Sequence, residues 1–117
     1  MSLLIQRRAG ASVTDEYGTR FRRLYPWKGV ADSPWGSAWA AVAPGASSHL
    51  HGHDEEETFI VLKGSGTMQV DGQAESVAAG DVIYLPRFSE HTLRNDGAGD
   101  LEFLCIWWGA PESPAAS

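Results

Sequence analysis

The sequence predicts an all-β protein built from many short strands. Apolar runs rich in Val, Ile, Thr, Phe and Trp alternate with turn signals at roughly regular intervals, the pattern of a β-sandwich or barrel. The 13 glycines and 6 prolines among 117 residues suit a turn-rich fold. No stretch shows a convincing helical period. The length is that of one domain with a substantial core.

We predict eight strands, which are residues 19–25, 37–43, 57–63, 67–70, 73–78, 82–85, 90–95 and 101–108. Pro26 ends the first strand, and Asp71-Gly72 is a hairpin turn of the strongest short type. Residues 27–36 contain Pro34 and two glycines and are predicted to form a loop. Residues 1–18 are predicted to be an N-terminal arm or a first strand, 19–110 the barrel, and 111–117 a disordered tail.

Net charge, cysteine count and the lengths of apolar runs exclude several kinds of partner and location. The net charge of −6 argues against a nucleic-acid-binding surface. Cys105 is the single cysteine, so an internal disulfide is excluded, and its apolar surroundings predict a buried structural thiol. Leu3-Leu4-Ile5 is too short an apolar run for a signal peptide or a membrane span. We therefore expect a cytoplasmic protein without membrane contact.

The residues from Gly45 to Gly64 carry the main chemical signal. His49, His51 and His53 alternate, and Glu57 follows at the same parity. In an extended chain these side chains leave one face, and imidazoles with a carboxylate are ligands for a borderline divalent cation. A solvated His/Glu-rich loop that binds no metal is the competing interpretation.

A second segment contains the fourth histidine: Gly80 begins Gly-Asp-Val-Ile-Tyr-Leu-Pro, and His91 lies five residues after Pro86. With it, the chain resembles the cupin superfamily. The first cupin motif matches as Gly45-x5-His51-x-His53-x3-Glu57-x6-Gly64, and the second as Gly80-x5-Pro86-x4-His91-x3-Asn95. Phe88 stands where the family usually has glycine. The resemblance implies a small single-domain cupin, a jelly-roll-like β-barrel with a metal inside.

Within this resemblance we expect the metal ligands to be His51, His53, Glu57 and His91. His49 is the alternative, since His49 and His51 could form the ligand pair with a kink at Gly52. Otherwise His49 would lie at the rim. Such a donor set leaves one or two positions open on Fe(II), Mn(II), Ni(II), Co(II) or Zn(II). Asp54 is a candidate to orient a ligand imidazole, and Glu55 and Glu56 are expected at a solvated rim.

A pocket around the metal is expected from aromatic and apolar side chains, although an aromatic-rich interior that is simply core competes with this interpretation. The candidates are Trp39, Phe59, Met68, Tyr84, Phe88 and one of Trp107 or Trp108, with Trp107 the choice. Arg23, Arg87 and Arg94 are candidates to hold an anionic substrate group, and Arg87 is the preferred one because it precedes His91.

Two classes of function remain at this stage. The first is a metal-dependent enzyme on a small organic molecule, with an oxygenase as the leading hypothesis and a Lewis-acid isomerase, cyclase or decarboxylase as its alternative. In either, Glu57 is the candidate catalytic base, because it could leave the metal. The second class is a non-catalytic cupin that binds a small molecule or a metal.

Strands 58–62 and 101–108 are apolar on both faces, whereas a sheet with one face in water should alternate. We therefore expect a homodimer packed sheet against sheet, with Trp107 and Trp108 on opposite faces. The alternative is that a folded-back N-terminal arm covers the second face.

Overall fold

The computed structural model describes residues 3–27 and 33–109 and contains nine strands within them. The strands are β1 (Thr14–Glu16), β2 (Thr19–Tyr25), β3 (Trp35–Val42), β4 (Glu56–Lys63), β5 (Ser65–Val70), β6 (Gln73–Ala78), β7 (Val82–Leu85), β8 (His91–Asn95) and β9 (Leu101–Trp108). The all-β prediction is confirmed. None of the described residues forms a helix that could cross a membrane.

The strands form two antiparallel sheets. Six strands pair in the order β1-β2-β3-β9-β4-β7, and three pair in the order β6-β5-β8. Some neighbours are consecutive in sequence, but β3 and β9, β9 and β4, β4 and β7, and β5 and β8 are not, which is the jelly-roll-like arrangement that was expected. The core lies between the sheets and includes Phe21, Phe59, Leu93 and Phe103.

Strand β4 alternates strictly between its two faces. Glu57, Phe59 and Val61 are buried on the inner face, whereas Thr58 and Ile60 on the outer face are half-buried. Strand β9 shows the same period, since Leu101, Phe103 and Cys105 are buried inside. The apolar character of both faces therefore coexists with a two-residue period in burial.

The start of β3 differs from its prediction. Trp35 and Gly36 were predicted to lie in a loop, but both belong to β3, where Gly36 pairs with Trp107 of β9. A Cβ atom on Gly36 would lie only 2.3 Å from the indole of Trp107. The glycine that suggested a loop thus gives the tryptophan room to lie across the strand. Residues 28–32 of the predicted loop and residues 110–117, which include the predicted disordered tail, lie outside the described residues.

The two sheets meet where the histidines lie. Isolated bridges join Ser47 to Arg94 and His51 to His91. The backbone N–H of Leu93 also donates to Ser48 Oγ at 2.9 Å. These bonds hold the segment before β4 against β8, and so bring the histidines of the two sequence segments together.

Candidate metal centre

His51 and His91 are held opposite each other by their own backbones. The His51 N–H donates to the His91 carbonyl at 3.2 Å, and the His91 N–H donates to the His51 carbonyl at 2.9 Å. Their rings lie on the same side, with centroids 4.6 Å apart. This reciprocal pair is what brings the fourth histidine to the first group.

The turn before His91 keeps its shape without the usual glycine. Phe88 adopts a left-handed backbone with φ of 68°, and its N–H donates to the His53 carbonyl at 2.9 Å. A bulky residue in this region is strained. The hydrogen bond to His53 and the exposure of the phenyl ring, at 67%, are compatible with that conformation. Gly52 packs against the same turn, because a Cβ there would lie 2.7 Å from the Ser89 carbonyl oxygen.

Three imidazoles and one carboxylate converge inside the barrel. One ring nitrogen from each of His51, His53 and His91 lies within 4.8 Å of the other two. Glu57 Oε1 lies 3.1 Å from His53 Nε2 and 3.5 Å from His91 Nε2. The structure therefore brings all four expected ligands into one cluster.

Hydrogen bonds orient two of the rings. Nδ1 of His51 lies 2.8 Å from the His49 carbonyl oxygen, so it donates there and leaves Nε2 as the free lone pair. Nδ1 of His53 lies 3.3 Å from Glu55 Oε1, and its Nε2 points to Glu57. The carboxylate next to the His53 imidazole is therefore that of Glu55, and not that of Asp54. Asp54 instead forms an ion pair with Arg87 at 3.0 Å.

Burial lowers the proton affinities of two of the three histidines, which is the direction that metal binding needs. Burial, together with smaller contributions from the neighbouring His51 and His53 rings, lowers the pKa of His91 to about 4. Burial also lowers the pKa of His53, against the opposing influence of Glu55. The imidazoles of His53 and His91 are therefore neutral near pH 7 and able to bind a metal.

Glu57 is shifted in the opposite direction. Burial raises the pKa of its carboxyl group to about 8, with the charge of Glu55 adding to the effect and the Cys105 thiol opposing it. A cation among the four donors would stabilise the carboxylate and displace its proton.

The unsatisfied atoms of His91 test whether a metal fits. The residue is 1% exposed, and neither Nδ1 nor Nε2 has a hydrogen-bond partner. A buried imidazole without a partner is costly unless an ion or water completes its bonding. Three imidazole nitrogens and a carboxylate are the donors of an open, catalytic type of site for a first-row transition metal. The residues present fit such an ion.

A cavity of about 150 Å³ opens above this cluster. Phe59 and Trp107 line it as predicted, and Trp108 does not. The predictions for four other residues are wrong. Met68 is buried in the core, Arg87 pairs with Asp54, and Tyr84 and Phe88 are exposed outside the cavity. Trp39 lies on the outer face, where its indole N–H donates to Glu102 at 3.1 Å.

His49 lies apart from the cluster. It is held against the β1–β2 turn instead. The His49 N–H donates to the Tyr17 carbonyl at 2.8 Å, and the His49 ring lies over Gly18. The expectation that three histidines share one face with Glu57 therefore fails at His49, because its segment bends to meet this turn and is not a continuous strand.

The same turn contributes Tyr17 to the rim. Its ring stacks on His51, with centroids 5.1 Å apart and planes 16° apart, and its backbone is left-handed with φ of 56°. Tyr17 was not among the residues singled out from the sequence. A tyrosine before Gly18 in a two-residue turn carries no chemical signal of its own, and only the fold brings it to the site.

Several other lining residues were also missed: they are Thr19, Phe21, Ala40, Ser48, Phe103 and Cys105. For β9 a signal existed, because Phe103, Cys105 and Trp107 share one parity and therefore one face. The prediction of a buried Cys105 is confirmed, and burial strongly raises the pKa of its thiol. Of the three candidate arginines, Arg23 lines the cavity, whereas Arg87 and Arg94 do not.

The chain matches a known domain model over residues 38–107, described as Cupin domain. The match includes every expected ligand. Two curated proteins are 38% identical to it. One, an uncharacterized protein of Methanocaldococcus jannaschii, aligns over 70% of this chain and 66% of its own length. The other, from Thermotoga maritima, is named oxalate-binding protein and aligns over 56% of this chain and 54% of its own length. The matched segments thus span about half to two thirds of these relatives.

The fold is shared with solved structures. The plu4264 protein from Photorhabdus luminescens is 35% identical and superposes with a TM-score of 0.82, covering 92% of this chain and 88% of that protein. The superposition extends over both sheets, so the similarity is not limited to the histidine motifs.

Proposed function

The chain belongs to the cupin family, and we propose that it is a metal-dependent enzyme that acts on a small organic molecule, most specifically an oxygenase. The observation that carries this proposal is the cluster of three imidazoles and the Glu57 carboxylate, of which His51, His53 and Glu57 line an open cavity. A closed structural metal site would have no need of the cavity. Two histidines and one carboxylate with open positions are the ligand set of non-haem Fe(II) oxygenases, and this cluster contains that set with a third imidazole.

When bound, an iron ion would supply dioxygen activation and a position for a substrate oxygen. The chain's own residues supply the remaining functions. Phe59 and Phe103 form apolar walls that exclude water, and the aromatic rim of Tyr17 and Trp107 limits what enters. Glu57 is placed to accept a proton from a substrate in this partly dry site.

Elemental analysis and oxygen uptake test the oxygenase proposal. The protein purified without chelator should contain about one metal per chain. After anaerobic reconstitution with Fe(II), one member of a panel of catechols, flavonols and diketones should be consumed together with dioxygen. His91→Ala, which removes a buried ligand, should show neither metal nor uptake. Full Zn(II) or Ni(II) occupancy without oxygen consumption would contradict the oxygenase.

A Lewis-acid isomerase, cyclase or decarboxylase is the second candidate. The observation that favours it is the position of Glu57, which lines the cavity and whose Oε1 lies 3.1 Å from His53 Nε2, so that it could act as a general base on a substrate held at the metal. In this case conversion of a keto acid or diketone should proceed without dioxygen. Glu57→Asp, which keeps a carboxylate at an altered distance, should lower kcat more than metal content.

A non-catalytic binding protein is the third candidate, supported by the Thermotoga maritima relative that is named for binding oxalate. It predicts a ligand bound at the metal and recovered unchanged after prolonged incubation in air with each of the metals above.

We also propose that the chain forms a homodimer through the outer face of the six-stranded sheet. A continuous row of apolar side chains crosses four paired strands there, formed by Trp39, Leu104, Ile60 and Val82. The N-terminal arm leaves its own Leu3 83% exposed, which argues against the alternative in which this arm covers the face. Sedimentation equilibrium should give twice the monomer mass, and Leu104→Lys should give the monomer without loss of metal. A monomeric wild-type protein would contradict the dimer.

A further inference from the structure

Arg23 differs from the other arginines of the described residues in its position at the metal cavity. On β2 it lies opposite Ala38, whose side chain is fully buried on the inner face, so Arg23 and Phe21 share the inner parity. It is the one lysine or arginine that lines the cavity within residues 3–27 and 33–109. The metal mechanism above makes no use of it.

Aromatic rings hold the guanidinium group of Arg23 at the rim. Its Cζ lies 5.1 Å from the centroid of Phe21 and 5.9 Å from that of Trp107. A cation over aromatic faces is attracted by the ring quadrupole and keeps a defined position. The charge therefore has a defined position in the lining of the same cavity as the His51 and His53 imidazoles.

A carboxylate already occupies one edge of this guanidinium group. Nη2 of Arg23 donates to Glu16 Oε1 at 3.0 Å, and both side chains are substantially exposed, at 48% and 32%. An exposed ion pair of this kind is weak and exchangeable. The planar guanidinium fork also binds carboxylates through two parallel hydrogen bonds. Glu16 thus shows that a carboxylate can reach Arg23.

From this geometry we propose that Arg23 is the substrate-recognition residue of the site, and that the substrate is a small aromatic or unsaturated carboxylic acid. One end of it carries an oxygen donor towards the histidine cluster, and the other end carries a carboxylate that exchanges with Glu16 on Arg23. The cavity of about 150 Å³ has the volume that accommodates a benzene ring. The aromatic walls suit a flat ring between the two anchors. This inference rests on the proposed metal-dependent function and specifies its substrate class.

Calorimetric titration of the Zn(II)-loaded protein with 4-hydroxybenzoate and 4-hydroxybenzamide tests the charge preference. The two probes have nearly the same shape and differ in the charge at one end. Wild-type protein should bind the acid about 10- to 100-fold more tightly, because a charge-assisted bidentate contact is lost with the amide. Arg23→Gln should abolish that preference at unchanged zinc content.

The matched control is Arg20→Gln. Arg20 lies on the same strand, is similarly exposed and pairs with Asp100, but it faces the outer side. This variant should keep the preference for the acid. Glu16→Gln should raise affinity for the acid a few-fold, because it removes the competing carboxylate.

An unchanged preference in Arg23→Gln, or equal binding of acid and amide by the wild type, would overturn the role of Arg23, as would failure of both probes to bind. Each of these results leaves zinc binding intact. Failure of the wild-type protein to bind zinc would instead refute the metal-dependent function itself, so the two failures are distinguishable.

Discussion

The two faces of β4 show how one strand serves two purposes. On the inner face, Glu57 joins the histidine cluster and Phe59 packs against Phe103, with centroids 4.5 Å apart. On the outer face, Ile60 belongs to an apolar row in which Trp39, Ile60 and Leu104 are only half-buried and Val82 is exposed. Both faces are apolar in composition, but only the inner one is closed by the second sheet. The inner face of β4 therefore differs from the outer face in its burial, and not in its hydrophobicity alone.

The largest expected effect comes from substituting adjacent residues on the two faces of β4. Phe59→Ala should reduce the free energy of unfolding by about 3–5 kcal/mol, because it leaves a cavity under the metal cluster. Ile60→Ala, measured at a protein concentration where the chain is monomeric, should cost about 1 kcal/mol, because Ile60 is only half-buried. Urea unfolding of both variants gives the values. Equal losses would show that the outer face is also packed within one chain.

Measurements of metal affinity should distinguish His91, which lies in the cluster, from His49, which lies outside it. His91→Ala should lower affinity for Zn(II) by more than about 100-fold, since removal of a ligand exceeds the effect of removing a residue that only supports one. His49→Ala is the matched control, because His49 is exposed and lies outside the cluster. Competition with a chromophoric chelator measures both. Metal loss in His49→Ala with retention in His53→Ala would contradict the ligand assignment.

The pH dependence of stability distinguishes the inner carboxyl from exposed ones. The folded pKa of Glu57 is raised to about 8, so between pH 4.5 and pH 8 the folded metal-free protein keeps a proton that the unfolded chain has lost. Stability should therefore fall as pH rises through this window, by about 1.4 kcal/mol per pH unit for one proton. In the metal-free Glu57→Gln variant that decline should disappear, as followed by thermal unfolding at pH 6.5 to 8.

The pH dependence of stability that arises from His91 has the opposite sign to that from Glu57. Its folded pKa is lowered to about 4, so below pH 6.5 the unfolded chain gains a proton that the folded protein does not. Stability should be lost as pH falls from 6.5 towards 4. Metal should be released in the same range, because protons compete for the imidazoles. Full occupancy at pH 4.5 would contradict imidazole ligation.

The smallest expected effect concerns the rim. Tyr17→Asn keeps a residue that tolerates the left-handed backbone but removes the ring stacked on His51. Zinc affinity should fall about fivefold, equivalent to ~1 kcal/mol of stacking. Tyr17→Phe keeps the ring and should match the wild type. An equal loss in both variants would assign the effect to the hydroxyl group and not to stacking.

Much of the site was predictable from residue spacing and the family resemblance. His51, His53, Glu57 and His91 stand at positions of two short motifs, and the fold of both motifs brings them together. The strands were predictable because turn signals and two-residue alternation are local properties. Gly36 was an exception, because a glycine that admits a tryptophan ring looks the same in sequence as a glycine in a loop.

The amino-acid order alone predicted most of the strands, the family and the donor set, because strand alternation and the spacing within each of the two motifs are visible in the sequence. Tertiary structure decided which arginine faces the cavity, which carboxylate accompanies His53 and where His49 points. Those outcomes depend on the pairing of β2 with β3 and on the contact of the β1–β2 turn with residue 49. Such contacts join parts of the chain that are far apart in sequence, and no local pattern encodes them.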